Sequence, residues 1–284
     1  MKFAYLIMAH KNPEQLKLLL KLLDYEENRI YLHIDRKSPM AKDPDQFRIV
    51  KYAKLFVFAK YKVAWGSFEQ TRAQMFLLEE AVKDGSDYYH LISGQDLPLK
   101  TQKELQTFLE KHRGKEFIHF EQREPMKAAY MPFYNTSCYA KNRRIRYLYK
   151  VLDNKLVSWQ QKRGVHRELY KGANWFSITH ELAKAVAAEK KKVLRQVKNW
   201  HNSDEYVLQT FFIKQYDIEK KYGGYECDNK DCLRYIDWKR GNPYVWRLEQ
   251  YEELMSSPYF FARKFDEQID SAIIEKIYNQ LKRK

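Results

Sequence analysis

The amino-acid sequence predicts an α/β fold with a mainly parallel sheet flanked by helices. Three observations predict it. Short apolar runs alternate with stretches of helical periodicity through the first half of the chain. Such alternation is the pattern of βαβ units. A length of 284 residues with a hydrophobic share of 44% supplies one large core. The 31% charged share, with only 9 Gly and 8 Pro, excludes disordered and fibrous classes. A single domain over residues 1–284 is expected, with residues 122–171 as a basic insertion or lid.

The elements follow in order. Residues 3–8 form a strand, and Leu16, Leu19, Leu20 and Leu23 recur at helical spacing. Residues 30–34 and 55–58 are two further apolar runs. Phe68, Met75, Leu78 and Val82 mark a second amphipathic helix. A strand over 88–92, a helix over 102–110 and a strand over 117–120 come next. Residues 122–171 are rich in Lys, Arg, Tyr and Gln and show no strand–helix rhythm, which suits an insertion over the site. Residues 173–178 return to a strand pattern. Helical stretches over 181–200 and 204–214, a short strand over 234–236 and a last helix from about Glu267 complete the chain.

The net charge of +15 attracts polyanions: nucleic acid, anionic headgroups or phosphorylated ligands. The densest run is Lys141, Arg143, Arg144 and Arg146, interleaved with Tyr147, Leu148 and Tyr149, and a second cluster closes the chain at Lys282, Arg283 and Lys284. A solvated basic face and a membrane-surface role both fit. No segment is long and apolar enough to read as a membrane span, and the first residues lack a signal-peptide pattern, so export is not expected. Cys227 and Cys232 are close enough to raise a metal or disulfide pairing, but with Cys138 the odd count fits free thiols in a reducing compartment better.

Four segments can carry chemistry. His33-Ile34-Asp35 ends a strand in a polar turn, where Asp35 can accept a hydrogen bond from a ribose or a base, or cap its own backbone. Ser93-Gly94-Gln95-Asp96-Leu97-Pro98 follows a strand directly, so Asp96 can point into the crevice beyond it or be an ordinary loop aspartate. In His201-Asn202-Ser203-Asp204-Glu205, Asn202 or Ser203 can cap a helix and put Glu205 in its first turn, where the dipole favours the ionised carboxylate. A general base or a helix-start acid would both look like this. Phe260-Phe261-Ala262-Arg263-Lys264-Phe265-Asp266 frames two cations with aromatics and suits an anionic diphosphate, with Arg240 and Arg247 upstream as further candidates; an amphipathic helix start fits equally. There is no phosphate-binding Gly-Lys-Ser/Thr loop and no GxGxxG fingerprint. The one Asp-x-Asp, Asp43-Pro44-Asp45, lies in an early polar loop and is read as fortuitous.

An ordered set of short segments resembles the core-2/I-branching β-1,6-N-acetylglucosaminyltransferase family (glycosyltransferase family 14), which includes peptide O-xylosyltransferases. The set is Tyr5-Leu6-Ile7 with His10, His33-Ile34-Asp35, Val63-Ala64-Trp65-Gly66-Ser67, Tyr89-His90-Leu91-Ile92 running into the Ser93–Pro98 turn, Asn174-Trp175-Phe176, Ser203-Asp204-Glu205, Ile236-Asp237-Trp238 and Phe261 to Asp266. Each is short, but together they span nearly the whole chain. The resemblance implies a GT-A-like, Rossmann-related fold and an inverting, metal-independent transfer from a UDP-sugar, with no cofactor.

It further implies that Glu205 matches the catalytic base, with Asp96 as second choice. Lys264 matches the residue that meets the diphosphate, with Arg247, Arg240 or Arg263 as partner cation and Asp35 and His33 in the donor pocket. Trp238 and Trp175 fall on the acceptor side. The chain looks like a compact bacterial-type version on the cytoplasmic side, peripheral to the inner face of the membrane. N-acetylglucosamine is the first guess for the sugar, and the acceptor would be a glycan or lipid-linked saccharide in surface polysaccharide synthesis. A nucleic-acid-binding protein and a catalytically silent sugar-binding relative are the rival readings. No recognised nucleic-acid module is present, so no nucleic acid is expected as partner.

Overall fold

The molecule is described by a computed structural model covering residues 1–224 and 229–282. Strand β1 (Phe3–Ala9) is an apolar run buried along almost its whole length, as a central strand covered on both faces requires. Helix α1 (Pro13–Leu22) begins with proline at its first turn, where a missing N–H costs nothing, and buries Leu16, Leu19 and Leu20. Each of these side chains stabilises by roughly 1.5–3 kcal/mol relative to exposure. β2 (Arg29–Ile34) and β3 (Lys54–Phe58) add outward in parallel; α2 (Phe68–Val82) then carries the chain back over the sheet to β4 (Tyr88–Ser93), on the other side of β1. The reversal puts a topological switch point between β1 and β4.

A short β5 (Asp96–Pro98) precedes α3 (Gln102–Lys111), whose start is closed by a reciprocal Thr101–Glu104 capping box. β6 (Phe117–Ile118) and β9 (Phe176–Thr179) complete a six-stranded sheet of order β3-β2-β1-β4-β9-β6, with β9 antiparallel to both neighbours. α6 (His180–Ala188) and α7 (Lys190–Val197) divide at Glu189 what the periodicity reads as one stretch, and α8 (Asp204–Gln215) follows. β10 (Arg234–Ile236) and β11 (Phe261–Arg263), with α9 (Tyr251–Ser256) between them, join β5 in a three-stranded sheet. α10 (Ser271–Leu281) starts a few residues later than expected because Asp270 is its N-cap.

One core lies between the main sheet and α1, α3 and α10; the other holds α2, α6 and α8. The wholly buried Arg234 fastens the small sheet to the large one. Its guanidinium donates to the carbonyls of Leu91, Phe176 and Cys232 and to Ser177 Oγ, and lies 4.5 Å from the Phe261 ring. The expected GT-A-like α/β architecture is the one observed.

Residues 122–171 depart from expectation. Rather than lacking regular structure, they contain the hairpin strands β7 (Met126–Ala128) and β8 (Arg167–Leu169), α4 (Tyr134–Tyr139) and the 20-residue α5 (Arg143–Lys162). Cys138 and Cys232 are free thiols, and Cys227 lies outside the described residues, as do Arg283 and Lys284. Among the described residues no helix is long and apolar enough to cross a membrane.

Candidate active site

β1, β2 and β4 run in parallel, so their carboxyl ends share one side of the sheet, and a cleft of about 670 Å³ opens there. It takes in Ala9 and His10 at the end of β1, His33 and Asp35 at the end of β2, and Ser93 at the end of β4. The remaining walls come from loop 63–66, from Asn174 and Trp175 ahead of β9, from the start of α8, and from Trp238, Arg263 and Lys264. Three-residue strands deliver the last group: β11 pairs with β10 in parallel and with β5 in antiparallel register, which carries Arg263 and Lys264 to the switch point. Phe265 N–H donates to the Gln95 carbonyl (2.9 Å), and Gln95 Nε2 returns to the Phe265 carbonyl (3.1 Å), fixing that approach.

The acidic side is built by α8. Asp204 is buried, and its Oδ2 accepts from Gln70 Nε2 (2.5 Å) and Asn174 Nδ2 (3.0 Å). Burial first, and the adjacent Glu205 charge second, push its carboxyl up to about 7. Glu205 itself faces the cleft. Its pKa is raised by burial and held back by Lys171, whose Nζ stands 3.6 Å from Oε2 and 2.6 Å from Glu121 Oε2. The helix start was expected to favour the ionised carboxylate; in the structure burial is the largest influence and raises the pKa instead. Nor is α8 capped by a side chain. Ser203 Oγ instead shares a 2.5 Å hydrogen bond with Thr71 Oγ1.

Two glycines bring this corner together. Gly66 has φ 68°, and a Cβ there would fall 2.3 Å from Asn202 Oδ1. Gly172 N–H donates to the Glu205 carbonyl (3.0 Å), while a Cβ on residue 172 would fall 1.9 Å from the His119 carbonyl oxygen.

The cationic side gathers Lys264, Arg263, Lys11 and His10. Lys264 is held below the ordinary lysine value by partial burial and then by the charges of Lys11 and Arg263. His10 is lowered by burial and by Lys11. A local excess of positive charge of this kind is relieved by an anion. Arg263 is already engaged: it donates to Asp96 Oδ1 at 2.7 Å and lies 4.5 Å from the Trp175 ring.

Several expected placements are not met. Asp96 does not reach the cleft; it is 1% exposed and accepts from Arg263 and from Ser93 N–H (2.9 Å). Arg240 pairs with Asp237 and Glu253 over the Tyr244 and Trp246 rings, and Arg247 sits at the start of a 3-10 turn; neither lines the cleft. Asp35 caps the turn that follows β2 and stands at the cleft. Its Oδ1 accepts from Lys37 N–H (2.9 Å) and Val63 N–H (3.0 Å). His33 Nε2 accepts from Tyr61 N–H (3.1 Å), and burial lowers the ring to about 4, so it is a neutral imidazole with its proton on Nδ1. Trp175 and Trp238 both line the cleft, Trp238 with 55% exposure at its rim.

The segment 122–171 contributes no lining side chain. It braces the rim instead, through Tyr139, whose hydroxyl accepts from Ala64 N–H (3.2 Å) and donates to the Lys62 carbonyl (2.7 Å). Lys171, which ends that segment and meets Glu205, Lys11 on the cationic side and Gln70 beside Asp204 are site residues that sequence reasoning did not single out, and Trp65, 77% exposed in the cleft wall, entered it only as part of the 63–67 segment. Among the described residues no three His, Cys, Asp or Glu side chains are placed to hold a metal ion.

A GT-A-like sheet with such a cleft at its switch point is an architecture that holds ligands beyond the carboxyl ends of its parallel strands. The model of the core-2/I-branching enzymes matches residues 3–254, and the chain belongs to that family. Its similar relatives include xylosyltransferase 2 of Rattus norvegicus, 22% identical over 308 aligned positions that cover 96% of this chain and 33% of the rat protein. Xylosyltransferase 2 of Homo sapiens is 21% identical with the same coverage, and the xylosyltransferase of Ciona intestinalis is 20% identical over 97% of this chain and 34% of its own. The chain spans about a third of the length of these curated relatives.

Proposed function

We propose that the chain moves a sugar from a UDP-sugar to a carbohydrate hydroxyl by one in-line displacement with inversion. Glu205 takes the proton of the acceptor hydroxyl as the new C–O bond forms at the anomeric carbon. The bond to the diphosphate breaks, and its electron pair leaves with UDP. Lys264, backed by Lys11 and Arg263, stabilises that departing charge, so no resident metal is needed. Trp238, Trp175 and Trp65 offer ring faces to the acceptor glycan, a lipid-linked or surface polysaccharide precursor on the cytoplasmic side. The observation that carries this reading is that Glu205 and Lys264 line one cleft although 59 positions separate them in sequence.

N-acetylglucosamine is the first donor to test. Xylose is the second, favoured by the names of the relatives. With the better donor, Glu205→Gln lowers turnover by about two to four decades while UDP still binds. EDTA leaves the wild-type rate unchanged. Near-normal turnover of the variant removes Glu205 as base; a strict manganese requirement removes the metal-free mechanism.

A further inference from the structure

Helix α5 leaves an apolar stripe in solvent. On a helix of a soluble domain the apolar stripe faces the core. Here the fully buried residues of α5 are Asp153 and Gln160, with Tyr149, Val151, Leu156 and Val157 partly buried. Asp153 Oδ1 accepts from Phe133 N–H (3.1 Å), and Gln160 exchanges hydrogen bonds with the Tyr130 backbone at 2.9 Å each way. Outside stand Ile145, Leu148, Leu152 and Trp159, exposed by 45%, 54%, 37% and 51%. Their spacing of three, seven and fourteen from Ile145 places all four on one stripe, roughly 20 Å long at the helical rise.

The charge on α5 is equally one-sided. Arg143, Arg144, Arg146, Lys150, Lys155 and Lys162 are all exposed, and the helix's single acid, Asp153, is buried. Arg144, Lys155 and Lys162 flank the apolar stripe along one side by helical position. A nucleic acid would engage such cations but leave the aliphatic stripe in water. An anionic bilayer engages both, the cations at its headgroups and the leucines and tryptophan at the acyl boundary.

We propose that α5 is a membrane-docking helix that lies along an anionic lipid surface with Ile145, Leu148, Leu152 and Trp159 inserted. The docking holds or fails independently of the sugar-transfer reading. It has a structural consequence for the cleft, because α4, which packs on α5, carries the Tyr139 that grips residues 62–67 at the rim.

The test uses the full chain and vesicles of phosphatidylcholine with or without phosphatidylserine. The wild type co-sediments only with the anionic vesicles, and its tryptophan emission shifts to the blue, a shift that Trp159→Phe removes. Leu148→Glu combined with Leu152→Glu lowers partitioning at least tenfold with circular dichroism unchanged, both positions being exposed. Arg144→Gln and Lys155→Gln each lower it roughly fivefold at low salt. The proposal is overturned if the anionic vesicles do not retain the wild type or if the double glutamate variant partitions like it. It also fails if single-stranded RNA binds more tightly than the vesicles, or if the chain is a dimer that Leu148→Glu separates.

Discussion

Lys171 Nζ lies 3.6 Å from Glu205 Oε2 and holds down a carboxyl that burial pushes up. Lys171→Met removes the lowering influence and leaves the desolvation. The pKa of Glu205 then rises further. A general base works only when unprotonated, so the acid limb of kcat/KM against pH moves to higher pH in the variant. A limb that stays in place assigns it to a different group.

Lys264 carries more positive charge around it than its single acidic neighbour, Asp266, offsets, since Asp266 is taken by Lys11 at 2.5 Å. Lys264→Met therefore weakens UDP binding by about ten- to a hundredfold, the size of a lost charge-assisted hydrogen bond. Titration calorimetry with UDP measures it. Unchanged affinity would move the diphosphate away from the end of β11.

Asp96 and Arg263 form a buried pair whose two ends differ in exposure, 1% against 18% for the side chains. Arg263→Ala strands a carboxylate in the interior and costs about 3–5 kcal/mol. Asp96→Asn leaves a guanidinium that keeps the Trp175 ring and reaches water, so its cost is smaller. Urea midpoints of the two variants give the order; the reverse order would contradict it.

Glu116 is 2% exposed, its carboxylate accepts from the backbone N–H and hydroxyl of Thr179, and burial pushes it from 4.5 to about 7. Between those values the folded chain holds a proton that the unfolded chain has lost. Stability contributed by this group is complete below 4.5 and falls as pH climbs to about 7, by roughly 3 kcal/mol at most. The difference in unfolding free energy between wild type and Glu116→Gln should track that window and be flat above it.

The main sheet was readable because strands buried on both faces must be continuous apolar runs, as in β1 and β4. That Glu205 and Lys264 share a cleft was anticipated only through the family resemblance, since Glu205 opens α8 and Lys264 follows the three-residue β11, and neither local pattern excludes a plain structural role. Helix α5 was not, although Ile145, Leu148, Leu152 and Trp159 recur at helical spacing, since Lys and Arg crowd the stripe and the fully buried residues are the polar Asp153 and Gln160. β5 and β11, at three residues each, are too short to show a period, and their pairing is what drew Asp96 out of the crevice and onto Arg263. Lys171 meets Glu205 across 34 positions, a separation about which no local spacing speaks.

The near-contact at Gly172 has a meaning for the chain's history. The segment cannot retreat from His119 without drawing on the backbone that carries Glu205. In a saturation library selected for sugar transfer, position 172 should therefore be a blank column from which even alanine vanishes, although residue 172 does not line the cleft.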